Sequence, residues 1–516
     1  MKIRQMMIVV LALAILAVAA FYRLAGLELK PVHHDECVNY VFTKKLLDTG
    51  NYQYNPTAYH GPLLYYLALP APKIAGFSKT TIRFMPALFG VLTVLLVLLL
   101  GREVGAPGAL FAAAVLALSP ANVYFDKTFL HEVYFSFATV GLIWMFLEAI
   151  RSGKATAVIW CYLFAVLGFA VKETAAFNVA AILAAWAIYW LTARRTGEAA
   201  SLHFGALLGR PDRQPLLWAL GMGVSLWLLL FSNFLRNPHG LLDFFAAYFP
   251  WFQTGVQKPT HVKAWHYFFV LLYKYYWPVL PFVAWAALRA FWKSKPRSLA
   301  ILAVAVVIQG VYSVIPYKTP WCVLSIGIVW MLVAADGFSD LWTALRYNAL
   351  RVLLAVLTVA GLAYYGQFSY ILNFREYDYN HNDSNEARRH DVVYVQTQRE
   401  YEQLPADLRK IAAVSGAGDR LPIFISGGSK NPGRFYLRDF RKVKVEGAKP
   451  PQTVKQDVIL VRENERKKYE ERYDGPYHRY QVYPVFPGWK VDLMIREELW
   501  QKLEAAGLTS PPIPPS

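Results

Sequence analysis

The chain has 516 residues, of which 56% are hydrophobic and only 17% charged, and its 53 basic and 35 acidic side chains give a formal charge of +18. A soluble domain carries roughly 25% charged residues, so an ordinary water-soluble enzyme is excluded from the outset. Residues 376–516 hold 23 basic and 21 acidic side chains, half of all the charge, while the first 375 residues hold nearly all of the net charge, +16.

That distribution belongs to a polytopic membrane protein with a water-soluble tail, in which basic residues anchor cytoplasmic loops rather than bind nucleic acid. Cys37, Cys161 and Cys322 are too few and too widely spaced for a disulfide framework or a zinc-thiolate site. About 20 apolar residues cross a bilayer. Windows of that kind predict about eleven spans, near residues 6–27, 84–101, 107–124, 133–150, 156–171, 175–193, 216–235, 267–290, 299–315, 319–335 and 352–372. Basic residues are densest at Lys2 and Arg4, Arg102, Arg151 and Lys154, Arg194 to Arg213, Arg289 to Arg297, and Arg346 and Arg351. These alternate loops place the amino terminus inside the plasma (inner) membrane and residues 376–516 outside it. Ala17-Val18-Ala19 resembles a signal-peptide cleavage site, but the apolar run continues through Leu27, which favours a retained first span.

Two long stretches fall outside the membrane, residues 28–80 and 236–266. The first begins Pro31-Val32-His33-His34-Asp35-Glu36, followed by apolar residues at helical spacing, and predicts a short amphipathic helix on the bilayer surface. Carboxylates at its start could serve only to cap it. Tyr59-His60-Gly61-Pro62-Leu63-Leu64-Tyr65-Tyr66 then returns the chain to the membrane.

With the Asp35-Glu36 pair just beyond the first span and His60-Gly61-Pro62-Leu63 further on, residues 1–375 resemble the GT-C superfamily of membrane glycosyltransferases. The likeness is to the protein O-mannosyltransferase and aminoarabinose-transferase branch, and to its flippase-associated glycosyltransferase-like group. Gly61 stands where that branch has the first proline of a His-Pro-Pro-Leu or Lys-Pro-Pro segment. The resemblance implies an α-helical polytopic domain over residues 1–375, followed by the extracytoplasmic tail, residues 376–516, that the charge distribution sets apart. It also implies transfer of a sugar from a polyprenyl-phosphate donor to an acceptor on the outer face, with inversion.

Such chemistry needs a base for the acceptor's proton and cations for the departing phosphate. The resemblance makes Asp35 the base, with Glu36 in support, and carries a second acid to Glu132 in preference to Asp126, both beside the fourth predicted span. Lys172, wedged between two apolar stretches, is a candidate phosphate ligand, although Glu173 beside it could simply neutralise it. His60 could bond the phosphate or merely fix its loop. The second long stretch offers Arg236 among aromatic residues suited to sugar stacking or to headgroups. Tyr317 and Lys318, in the turn Ile315-Pro316-Tyr317-Lys318-Thr319-Pro320, match a basic, proline-bounded turn of the family. Adjacent histidines diverge in a helix or strand, so His33 and His34 are not expected to chelate one metal; no cofactor is expected, with a divalent ion left open.

In the tail, residues 391–395, 422–426 and 457–461 read as buried strands and residues 398–413 as a helix, which predicts a small α/β domain. Ser426-Gly427-Gly428-Ser429-Lys430 lacks the full phosphate-loop spacing and reads as a turn, and residues 510–516 as a proline-rich end. Two other functions remain open: a lipid-linked-sugar transporter or flippase partner, and transfer of an assembled oligosaccharide to protein.

Overall fold

The computed structural model describes residues 2–58, 60–197, 214–257 and 261–509. Tyr59, Arg210, Arg213, Lys258 and residues 510–516 lie outside the described residues. The chain forms two compact units, one of Met1–Leu27 with Lys45–Arg375 and one of Glu28–Lys44 with Glu376–Ser516. The segment carrying Asp35 and Glu36 therefore groups with the C-terminal residues, not with the helices that flank it in sequence.

Among the described residues of the first unit, eight helices are long and apolar enough to cross a membrane, from Gln5–Leu24 to Asn348–Phe374. A ninth span results if Ala106–Leu118 and Pro120–Asp126, bent by 60°, are taken together. The protein is an integral membrane protein. The other predicted windows also fall on helices, but Ala155–Val171 has only 17 residues, and the window 267–290 is broken into Tyr267–Tyr275 and Leu280–Trp292. Pro278 and Pro281 lack the N–H that would carry the ladder through this break.

The 60° bend is braced by a buried arginine. Pro120 has no N–H to give the Leu116 carbonyl, which keeps only a 3.3 Å bond from the Ser119 N–H as the helix ends. Arg23, from the first helix and fully buried, donates Nη1 to the carbonyl of Ala117 and Nη2 to that of Leu116, both at 2.9 Å, and Nε to Asp126 at 2.8 Å. Gly90 leaves room for the pair, since a Cβ there would lie 2.6 Å from Asp126 Oδ2. Removing one partner of a buried ion pair costs about 3–5 kcal/mol. Arg23→Leu is expected to lose that much, read as an earlier melting midpoint in detergent; an unchanged midpoint would contradict the bracing role.

In the second unit five strands, β1 Ile423–Ile425, β2 Val443–Val445, β3 Val458–Arg462, β4 Tyr477–Phe486 and β5 Trp489–Arg496, form one sheet in the order β2-β1-β3-β5-β4. The first three are parallel; β5 pairs antiparallel to β3 and to β4. The helix Leu404–Ser415 overlaps the predicted 398–413, starting six residues later, after the short 3-10 turn Arg399–Gln403, and ending two residues beyond it. Residues 391–395 are not a strand: Val392 and Val393 are buried, but Val395 has φ +44° and leaves extended geometry. The β4–β5 hairpin turns at Gly488, where φ is +81°, and Pro484 is tolerated because β4 is an edge strand. The Ser426–Ser429 loop holds no open anion cradle, since the Gly427 N–H is taken by the carboxylate of Glu446.

Candidate active site

Lys172 occupies a break between two apolar helices. It ends Ala155–Val171 in extended conformation (φ −154°, ψ 139°), and Ala175–Thr196 starts three residues later. Its ammonium bonds the carboxylate of Glu132, in the first turn of His131–Ser152, where the helix dipole favours an acid. Lys172 and Glu132 are 5% and 2% exposed. Glu173, which the sequence offered as the neutralising neighbour, instead has its Oε2 at 3.1 Å from His60 Nδ1. Two pairs thus stand side by side, and two of the candidate residues, Lys172 and Glu132, are directly bonded.

His60, Lys172 and Glu173 line a cavity of about 250 Å³, with Phe177, Trp251, Tyr312, Tyr317 and Trp321 among its walls. Aromatic faces beside a cation suit a sugar linked to a phosphate. Cys322 also lines it, with Sγ 4.0 Å from Lys172 Nζ and 3.4 Å from Thr319 Oγ1. Lys318 is not in the lining. Its ammonium donates to the carbonyls of Ile315 and Lys263, and burial lowers its pKa; its cation is committed to holding the turn. Arg236 lies outside the lining and donates Nη1 to the carbonyl of Gly50 at 2.7 Å. Asp126 is absorbed by Arg23.

Asp35 and Glu36 are described within the second unit. Pro31 and Val32 are tied down by Gln396 Nε2 on the Pro31 carbonyl (2.8 Å), Thr397 Oγ1 on the Val32 carbonyl (2.7 Å) and the Val32 N–H on Tyr436 Oη (2.9 Å). The helix His34–Thr49 then opens with a reciprocal cap: the His33 N–H donates to Glu36 Oε2 at 2.9 Å, and the Asp35 N–H to His33 Nδ1 at 3.1 Å. Because Nδ1 accepts, Nε2 carries the proton and donates to the Tyr394 carbonyl at 3.1 Å. Burial holds the His33 pKa below its usual range, consistent with this neutral tautomer. Glu36 is fully buried in this cap, whereas the half-buried Asp35 carboxylate has no ion pair or hydrogen bond among the described residues. The two acids are adjacent in sequence and chemically unlike. Among the described residues no three His, Cys, Asp or Glu side chains are grouped to hold a metal ion.

The structure of ArnT from Cupriavidus metallidurans bound to undecaprenyl phosphate matches this chain with a TM-score of 0.64 at 15% identity, covering 95% of this chain and 98% of that one. The chain has an ArnT-like fold. It also matches the Archaeoglobus fulgidus oligosaccharyltransferase in complex with zinc and sulfate, with a TM-score of 0.56 at 14% identity over 95% of this chain and 76% of that one. Its residues 59–209 match the family described as dolichyl-phosphate-mannose-protein mannosyltransferase. No curated protein matches it. The matched stretch contains His60, Glu132, Lys172 and Glu173. The Glu173 partnership with His60 was missed in the sequence, because adjacency to Lys172 was the only signal there and it pointed to the wrong partner.

Proposed function

We propose that this protein is an inverting glycosyltransferase that moves a sugar from a polyprenyl-phosphate donor to an acceptor on the outer face of the membrane, where residues 376–516 lie. The observation that carries the proposal is the buried Lys172 ammonium, braced by Glu132 at the wall of a cavity lined with aromatic residues. A buried charge is retained in a membrane protein at a cost, and such groups mark substrate sites. Lys172 grips the phosphate as negative charge builds on it, His60 contributes beside it, and the aromatic wall stacks on the sugar. Asp35, the unbonded carboxylate, takes the acceptor's proton, while Glu36 keeps the helix start in place. ArnT bound to undecaprenyl phosphate supports a lipid phosphate as partner.

The test uses purified full-length protein in lipid nanodiscs, supplied with polyprenyl-phosphate sugars and with extracts from a strain lacking the protein. Release of polyprenyl phosphate coupled to a new glycoconjugate is the expected result. Failure to consume any lipid-phosphate sugar, with the same sugars found transported intact across vesicles, would overturn it in favour of a transporter.

A further inference from the structure

His60 is carried to its place by a glycine. A Cβ on Gly61 would lie 2.2 Å from the carbonyl oxygen of Ala170 and 2.9 Å from the nitrogen of Val171, and the Gly61 N–H donates to the Val171 carbonyl at 2.9 Å. A proline has neither the N–H nor the room, so this contact is closed to a His-Pro-Pro-Leu segment. The glycine lets the loop close on the last turn of Ala155–Val171, satisfies one of that helix's orphan carbonyls, and brings His60 against Glu173.

Glu173 is almost completely buried, with one oxygen 3.1 Å from His60 Nδ1 and the other, Oε1, without a hydrogen-bond partner among the described residues. Other titratable groups lie close by. The His131 ring is 4.7 Å from that of His60, the Lys172 ammonium is bonded to Glu132, and the Tyr248 hydroxyl donates to the Glu173 carbonyl at 3.4 Å. A carboxylate bonded to one imidazole nitrogen fixes the orientation of the ring. The His60 side chain is 31% exposed and lines the cavity, so it can exchange protons with water.

We propose that His60, positioned by Glu173, is the general acid that protonates the departing lipid phosphate. This rests on the transferase reading above. As the acceptor oxygen bonds to the anomeric carbon, its proton passes to a general base. The bond from that carbon to the phosphate oxygen breaks with both electrons on the oxygen, and the His60 proton moves to the phosphate. Polyprenyl phosphate leaves as the monoanion with His60 neutral; water then reprotonates His60 and takes the proton from the base. In water an imidazole and a phosphate monoester ionise near each other, with pKa about 6.5 and about 6, and matched partners transfer protons efficiently.

The experiment measures kcat and KM for the purified full-length protein in nanodiscs with a polyprenyl-phosphate sugar. Glu173→Gln removes the carboxylate that orients the ring and is expected to lower kcat with less change in KM, and Glu173→Asp restores it. His60→Gln, which cannot deliver a proton, is expected to lose about 10²–10⁴ in kcat. Unchanged kcat in Glu173→Gln, or full turnover by His60→Gln, would overturn the inference. Wild-type protein that transfers no sugar sinks the transferase reading itself, whereas wild-type turnover with unchanged variants sinks only the acid.

Discussion

Lys172→Met is expected to abolish sugar transfer and lower thermal stability together, and the two effects separate when Glu132 is neutralised as well. The Lys172 ammonium and the Glu132 carboxylate satisfy each other in nearly full burial. Removing the cation leaves an unpaired buried carboxylate, which costs about 3–5 kcal/mol. It also removes the charge proposed to stabilise the phosphate, worth on the order of 10²–10³ in turnover by analogy with single oxyanion donors. Lys172→Met/Glu132→Gln deletes both charges, so the melting midpoint should largely return while transfer does not. Thermal melting and turnover on the same preparations check this. A double variant that regains transfer would make Lys172 a purely structural lysine.

The two neighbouring acids should part in the same way. Asp35→Asn is expected to reduce transfer by about 10²–10⁴, the usual worth of a general base, with no loss of stability, because its carboxylate holds nothing among the described residues. Glu36→Ala removes the acceptor of the His33 N–H and should cost about 1–2 kcal/mol of stability, with any loss of rate following the loss of folded protein. Turnover unchanged in Asp35→Asn, or a stability loss equal to that of Glu36→Ala, would end the assignment of Asp35 as the base.

The membrane helices were legible because an apolar run of the right length has few alternatives in lipid, and each predicted window lies on helix. Where the windows misjudged the architecture, proline was the reason: Pro120 bends one span, and Pro278 with Pro281 breaks another, neither of which changes the mean hydropathy of a window. In the tail, Val392 and Val393 read as a strand because burial and apolar character are shared by strands and buried turns, and only φ at Val395 tells them apart. Of the site, the residue types were legible and the pairings were not. Lys172 next to Glu173 invites local pairing, while the fold joins Lys172 to Glu132, Glu173 to His60 and Asp126 to Arg23 across 40, 113 and 103 positions. Sequence distance carries no information about which charge a buried partner will meet.

Arg23 ties the first helix to carbonyls and a carboxylate more than 90 positions further along. During synthesis that helix enters the bilayer long before its partners have left the ribosome, so its arginine must wait near the headgroups until the later segment is inserted. Exchanging residues 2–24 for a generic signal anchor would therefore still deliver the chain to its membrane, yet leave the 116–126 region without its donor, and such chimaeras should fail at assembly after targeting has succeeded.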